Sequence, residues 1–419
     1  MLNRIRAFPV VVILLAALSL VAGAQAPPDA AAALFDDTVV HDIKLAVNAG
    51  DWANLKLHFE DDTYYPADFR WRDQVVRNIG IRSRGAGSRR PNKPSLRLDF
   101  NRYTSGQDFL GLKSFVLRNN SQDASNMRER LSMLFFRRMG IPASKEAHAR
   151  LYINEQFVGL FTIVESLDKE FLQKNFVDGD GWLYKYYFDN AAVRSGIKPY
   201  EFENLGSDPA LYVPVPFEPK SHEDDPQAGY VVRLVQRVSD TGAAWRQQMA
   251  EYLDLAAFVR RLAVENFLAE EDGVTGDYGM NNLYFYRFTN KNLFTTLVWD
   301  KSNTFWDVNF SIFRNIKDGP VDRHNVLVLR ALQEPDLLKL YLDTMLESAD
   351  SALEGATAGQ PGWLEREVNR EYDQIHAAAL TDTILFTNAQ FEQAGADLKV
   401  FGRDRSGVVR AQVAAARGQ

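Results

Sequence analysis

The chain has 419 residues, 46% of them hydrophobic and 25% charged, and a formal net charge of −7. That length serves two domains or one large domain with extensions, and the negative balance argues against non-specific nucleic-acid binding. There is no cysteine, which excludes disulfides, zinc-thiolate sites and cysteine nucleophiles. The six histidines are scattered without an HExxH spacing, which argues against a zinc hydrolase.

Residues 1–24 read as a cleavable signal peptide. Arg4 and Arg6 make the basic start, residues 10–21 an apolar core too short to span a bilayer, and Ala22-Gly23-Ala24 a small-residue cleavage site. The mature chain is expected to be secreted or periplasmic. No later run reaches membrane-spanning length, so no transmembrane anchor is expected in it. Residues 25–35 form a small-residue linker.

Strands are expected over 39–47, 64–69 and 74–83, with a short helix over 51–57. The third strand runs into a turn, 82–90, holding Arg82, Arg84, Arg89, Arg90, two serines and two glycines. Glycines let backbone N–H groups approach an anion, and arginines supply fixed donors. The turn reads as a phosphate loop or as a solvated basic turn. It lacks the GKS/T ending of a Walker A loop. A strand over 95–100 places Lys93 at its mouth. A helix over 125–139 follows, with Ser125 as its expected cap and Met127, Leu131, Leu134 and Phe135 as its apolar stripe. Its Glu129 is either an outward charge or a partner for Lys93.

Strands over 147–153 and 157–164 form a hairpin closed by Glu165. Glu165 reads either as part of the next helix cap or as a contact to adenine or ribose. A strand over 181–187 carries Lys185, a site residue or a surface lysine. Residues 201–230 are polar and proline-rich, an insertion or lid, and 254–270 form a long amphipathic helix. That helix leads into the stretch on which the reading turns. Asp277 is followed five residues later by Asn282, then by strands at 283–287 and 293–299, then by Asp300. Two carboxylates and an amide at the ends of one hairpin can hold magnesium and a phosphate beside a base. The same spacing also fits an ordinary polar-tipped hairpin. Beyond Phe313 the chain is mostly helical, and residues 36–345 and 346–419 read as a main α+β domain and a helical extension packed on it.

The order and wording of these pieces resemble the spore coat protein H (CotH) kinases. The matching stretches are Ile81-Arg82-Ser83-Arg84-Gly85-Ala86-Gly87-Ser88, Lys93-Pro94-Ser95-Leu96-Arg97-Leu98, Arg128-Glu129, and Leu151-Tyr152-Ile153-Asn154 with Gly159 and Glu165. Trp182-Leu183-Tyr184-Lys185, Asp277 with Asn282-Leu283-Tyr284, and Trp299-Asp300 with Phe305 complete them. The resemblance implies an atypical protein-kinase-like fold that binds ATP with Mg2+ or Mn2+ and phosphorylates Ser or Thr of secreted or surface proteins. It implies Asp277 as the catalytic-loop acid, Asn282 and Asp300 on the metal, Arg84, Ser88 and Lys93 facing phosphates, and Glu165 facing the nucleotide. Ser302 stands where the family pattern has a second aspartate, and Trp306 where it has glycine. Asp272 competes with Asp277 for the catalytic position. These departures leave a second reading open, a pseudokinase serving as a surface scaffold or binding module. A third, carbohydrate binding, rests only on an aromatic content of 12%.

Overall fold

The structure is a computed structural model describing residues 29–187, 195–319, 321 and 324–418. The leader expected over 1–24 lies outside the described residues.

Seven strands close into a barrel: β1 (His41–Val47), β2 (Tyr65–Trp71), β3 (Gln74–Ser83), β4 (Leu96–Asp99), β5 (Ser114–Arg118), β6 (Glu146–Ile153) and β7 (Gln156–Glu165). Their order is β1-β2-β3-β4-β5-β7-β6, and β1 meets β6 in parallel to complete the ring. Closure leaves no strand edge unpaired. The period of two turns Ile43, Leu45, Ile79, Ile81, Leu96 and Leu98 into one apolar cluster. Phe69 sits at its centre, its ring 5.3 Å from Phe100 and 4.8 Å from Phe109. Helix α1 (Ala49–Leu57) is capped by Asn48, whose side chain accepts from Gly50 and Asp51.

Helix α2 (Arg128–Arg138) starts three residues later than the expected cap. Asp123, not Ser125, takes the Arg128 N–H, at 2.9 Å, and Ser125 accepts from Met127 one position earlier. A second sheet, in the order β11-β10-β8-β9, contains β8 (Trp182–Tyr186), β9 (Phe217–Pro219), β10 (Leu283–Arg287) and β11 (Phe294–Val298). The remaining helices are α3 (Lys169–Asn175), α4 (Ala228–Ser239), α5 (Trp245–Met249), α6 (Leu255–Phe267), α7 (Val326–Gln333), α8 (Pro335–Ala352), α9 (Trp363–Thr381) and α10 (Asn388–Arg417); α6 packs on β11 and α9 on β7 of the barrel. One apolar cluster runs from Met127 through α6 and the second sheet to Val413 of α10. The stretch expected as a lid is tied down. The buried Glu201 carboxylate accepts from the Met280 N–H at 2.9 Å and from Asn325 at 3.3 Å.

The last helix reaches the middle of the molecule through Arg405, which is fully buried. Its guanidinium donates to the carbonyls of Asn266 (2.8 Å), Phe267 (2.9 Å), Val308 (2.8 Å) and Phe310 (2.7 Å). A cation thus satisfies orphan carbonyls at the C-terminus of α6, the end that its dipole makes negative. Arg405→Ala would leave the Phe267 and Val308 carbonyls buried without their donor and take one donor each from those of Asn266 and Phe310. It should lower unfolding free energy by about 3 kcal/mol or more, read as a fall in the urea midpoint with an unchanged slope.

Candidate active site at the junction of barrel and second sheet

The site is built around Arg118, the last residue of β5. Its side chain is 8% exposed and bridges two carboxylates from distant parts of the chain. One is Glu129 in the first turn of α2, hydrogen-bonded to Nη1. The other is Asp300 just after β11, held at 2.6 Å through Nη1 and 2.5 Å through Nη2. Burial alone would raise the Asp300 pKa, but Arg118, then Arg84, hold it well below the usual carboxylate range. Glu129 has the opposite balance. Burial outweighs the pull of Arg118 and pushes its carboxyl up to about 7. Glu129 is thus neither an outward charge nor the partner of Lys93: it pairs with Arg118.

The basic turn divides its arginines between structure and site. Arg82 and Arg89 both reach Asp62 at 2.5 Å, and Arg89 also donates to the carbonyls of Phe59 and Asp61. Arg90 donates to the Gly87 and Arg89 carbonyls of its own turn. Arg84 alone is turned to the cluster. It lies 5.4 Å from the Trp299 ring, and burial, then the charge of Arg118, lower it to about 10. Ser88 contributes its carbonyl, which accepts from Asn119 (3.1 Å) and Ser121 (2.9 Å), so the loop is braced from β5. Gly85 has a φ of +113° and faces the Ser88 hydroxyl so closely that a Cβ would lie 2.6 Å from it.

Lys185 of β8 stands opposite Tyr284 of β10 in the second sheet. Burial, then the charge of Arg84, push it down to about 8. Among the described residues, neither Arg84 nor Lys185 has a carboxylate partner. Two half-buried cations thus converge near Asp300 without a carboxylate in ion-pair contact, although Asp300 and, for Lys185, the cross-strand Glu218 act on them at longer range, and an anion entering there would meet already desolvated donors.

The loop between α6 and β10 supplies the other half. Asn282 donates its amide to the Asp272 carbonyl at 2.8 Å and to the Asp272 carboxylate at 3.0 Å. Asn281 donates to the same carboxylate at 2.9 Å. Burial raises Asp272 to about 6, opposed by Asn281 and augmented by the negative charge of Asp300. Beneath the loop, Glu265 of α6 receives Arg261 at 3.0 Å and Lys301 at 3.1 Å. Its other oxygen accepts the Val274 N–H at 2.6 Å. This buried set fixes the loop against the segment after Asp300.

Not every expected residue joins the cluster. Asp277 makes a two-pronged pair with Arg314, at 2.7 and 2.5 Å, and accepts from Asn315 at 3.0 Å. Asp272, not Asp277, meets Asn282. Lys93 donates to Asp382 at 2.6 Å and to the Leu160 carbonyl at 2.9 Å. Its charge is thereby neutralised by the residue that follows α9. Glu165, at the end of β7, accepts from the Lys145 N–H (3.0 Å) and from Lys174 (3.1 Å) on a cleft of about 260 Å³. Arg118 was missed from sequence, and its only local signal is an arginine ending a short apolar run. Among the described residues no group of three or more His, Cys, Asp or Glu forms a metal cage.

Lys185 can be tested without knowing the ligand. Unfolded, it keeps its proton to about 10.5, but folded only to about 8. The unfolded chain binds the extra proton between those values, so ligand-free stability rises with pH across that window. At pH 7 the buried charge is unfavourable, and Lys185→Met should raise the melting temperature by roughly 2 °C. The same change should abolish stabilisation by tripolyphosphate, which in the unmodified chain should weaken from pH 7 to pH 9.

The family described as CotH kinase protein matches residues 81–409. The inner spore coat protein H of Bacillus subtilis (strain 168) is 25% identical over 343 residues, 81% of this chain and 88% of the relative. No helix among the described residues is long and apolar enough to cross a membrane. The chain belongs to the CotH kinase protein family.

Proposed function

We propose that the chain is an extracytoplasmic atypical kinase that binds ATP with magnesium or manganese and phosphorylates Ser or Thr hydroxyls of secreted or surface proteins. One arrangement carries the reading. A buried arginine joins the carboxylate of a barrel-side helix to Asp300, two cations without carboxylate partners stand beside it, and Asp272 is locked to Asn282. This is the set of parts that kinase-like phosphoryl transfer requires: positioned positive charge, a metal-holding carboxylate and amide, and an acid near the acceptor. On this reading the barrel and α2 act as the nucleotide lobe, and α6 with the second sheet as the catalytic lobe.

The donor set suits a hard divalent ion. Magnesium takes one or two carboxylates together with substrate phosphates rather than a protein-only cage. Asp300 and Asn282 would hold it, with Asp272 adjoining, and the ion would neutralise charge on the phosphates. Arg84, Lys185 and Arg118 receive the phosphate oxygens, and the loop carrying Ser88 covers them. Lys93 is held by Asp382, and Glu165, at the end of β7, would face the nucleoside. Of the two acids left open by the sequence, the geometry favours Asp272 as the group that accepts the hydroxyl proton. Asp277 then orders the loop through Arg314.

A scaffold without transferase activity is the second reading, and Ser302 is the observation in its favour. Its hydroxyl donates to Asp300 at 3.1 Å, in place of a second metal-holding carboxylate. Melting curves with magnesium-ATP separate the two. Ligand at a hundred times its dissociation constant should add about 2.7 kcal/mol to the unmodified chain, and Asp300→Ala should remove that gain. Asp272→Asn should keep nucleotide binding and lose phosphoryl transfer to a serine peptide by about 10²-fold or more. A well-folded chain that magnesium-ATP does not stabilise would favour the scaffold.

A further inference from the structure

The outer face of the barrel beneath α2 is polar. In β6, Ala147, Ala149 and Leu151 belong to the cluster inside the barrel, so strand alternation turns Glu146 and His148 outward. Strand β5 alternates likewise, with Phe115 and Leu117 inward and Arg118 outward. Strand β7 lies between the two. Arg118 stands opposite Thr162, and Glu146 opposite Val164, two residues along the same face. Helix α2 packs on β6 and is tied to it on either side of Glu146. Arg137 donates to the Ser144 carbonyl. Arg130 donates to Glu371 of α9 at 2.9 Å, and the other oxygen of Glu371 lies 2.6 Å from Nε2 of His148.

Glu146 is 1% exposed, and among the described residues neither of its oxygens has a hydrogen-bond partner. A buried carboxylate in that position sheds its charge by keeping a proton. Burial, then the charge of Glu129, raise its carboxyl well above the usual range against the pull of Arg118, Arg137 and Arg130. A carboxylic acid is a donor and needs an acceptor. Glu129 supplies one. Its Oε2 is taken by Arg118, while its Oε1 is buried and has no partner among the described residues. The other carboxylates near this face are already engaged. Arg130 and His148 occupy the two oxygens of Glu371, and Lys174 and the Lys145 N–H those of Glu165. Ser144 Oγ and His148 Nδ1 also lack partners, but an anion is the stronger acceptor. Two carboxyl groups set side by side retain one proton between them, because both cannot ionise together.

We propose that Glu146 is a positioning residue for the candidate site: it stays a carboxylic acid beneath α2 and shares its proton with Glu129, so that Glu129 holds Arg118 and Arg118 holds Asp300. Ionising Glu146 would place a second negative charge under α2 and set it against Glu129 for the same arginine. The inference rests on the proposed function for one consequence, that nucleotide affinity depends on this proton. The proton itself is a property of the ligand-free chain.

The test compares urea unfolding of the full mature chain from pH 5 to pH 9 in the unmodified protein, Glu146→Gln, Glu129→Gln and the double variant. Unfolded, Glu146 loses its proton near 4.5; folded, it keeps the proton well above that value. The folded chain therefore binds the extra proton, and this group makes the unmodified protein less stable as pH rises through the window. Glu146→Gln has no such proton to lose, so its urea midpoint relative to the unmodified protein should climb from pH 5 to pH 8. In the Glu129→Gln background the climb should be smaller, because a charge that helps to keep the proton is gone. A difference that is flat with pH, or equal climbs in both backgrounds, would overturn the proposal. Melting curves with magnesium-ATP at pH 7 read the positioning role. Glu146→Gln keeps the shape and a donor and should bind as the unmodified chain does. Glu146→Met fills the space without a donor and should weaken affinity by roughly tenfold. Equal affinity in the two variants would overturn the role. An unmodified chain that magnesium-ATP does not stabilise would discard the transferase reading, and the pH courses would still decide the shared proton.

Discussion

Everything at the junction depends on one guanidinium having to satisfy two carboxylates. Glu129 and Asp300 are both desolvated, and neither would tolerate its charge there alone. Arg118 makes the pair possible, and in doing so it sets the distance between α2 and the end of β11. An unpaired buried charge is expensive to leave behind, so the barrel-side helix and the second sheet are registered to each other by electrostatics as well as by shape. The engagement of Asp300 by Arg118 also explains why Arg84 and Lys185 have no carboxylate in ion-pair contact. The available carboxylate beside them is already engaged by Arg118.

The loop on the opposite side shows the same economy of parts. Asn282 has only two amide hydrogens, and both are directed at Asp272, one to the backbone and one to the carboxylate. Its own oxygen is left for something else. Glu265 divides its two oxygens between the loop backbone and the cations of α6 and of the segment after Asp300. Asp272 and the loop around it are thus positioned by groups whose own hydrogen bonds are largely consumed, which is what positioned charge requires if it is to act without reorganising.

How much of this could be read from the chain depends on the range of each interaction. The β10–β11 hairpin was legible because two β-rich runs joined by a polar turn are local signals, and the hairpin of β6 and β7 for the same reason. Strand β5 was not, because Ser114–Arg118 is buried along its whole length and shows no alternation. With it went Arg118. Lys93 is a different case. Its position at a strand mouth invites a phosphate, but its partner Asp382 lies 289 residues away and leaves no trace nearby. The choice between Asp272 and Asp277 turned on which of them Asn282 touches, and spacing alone favoured the wrong neighbour for that contact. The β9 strand and α4 were hidden inside a proline-rich stretch that composition marks as irregular.

The Lys93–Asp382 pair also bears on how this protein can be divided. Both side chains are nearly sealed from water, and the lysine sits 4.9 Å from the ring of Phe161 in the barrel wall. Asp382 also accepts the Leu160 N–H, so one carboxylate replaces a neighbouring strand for that backbone position. The barrel, which looks like a self-contained module, is therefore completed by a residue from the far end of the chain. A boundary drawn before α9 would pass through the electrostatics of the barrel itself. Recombination, truncation or gene fusion of this protein should respect the chain through Asp382 as part of the barrel, although it is among the last to be made.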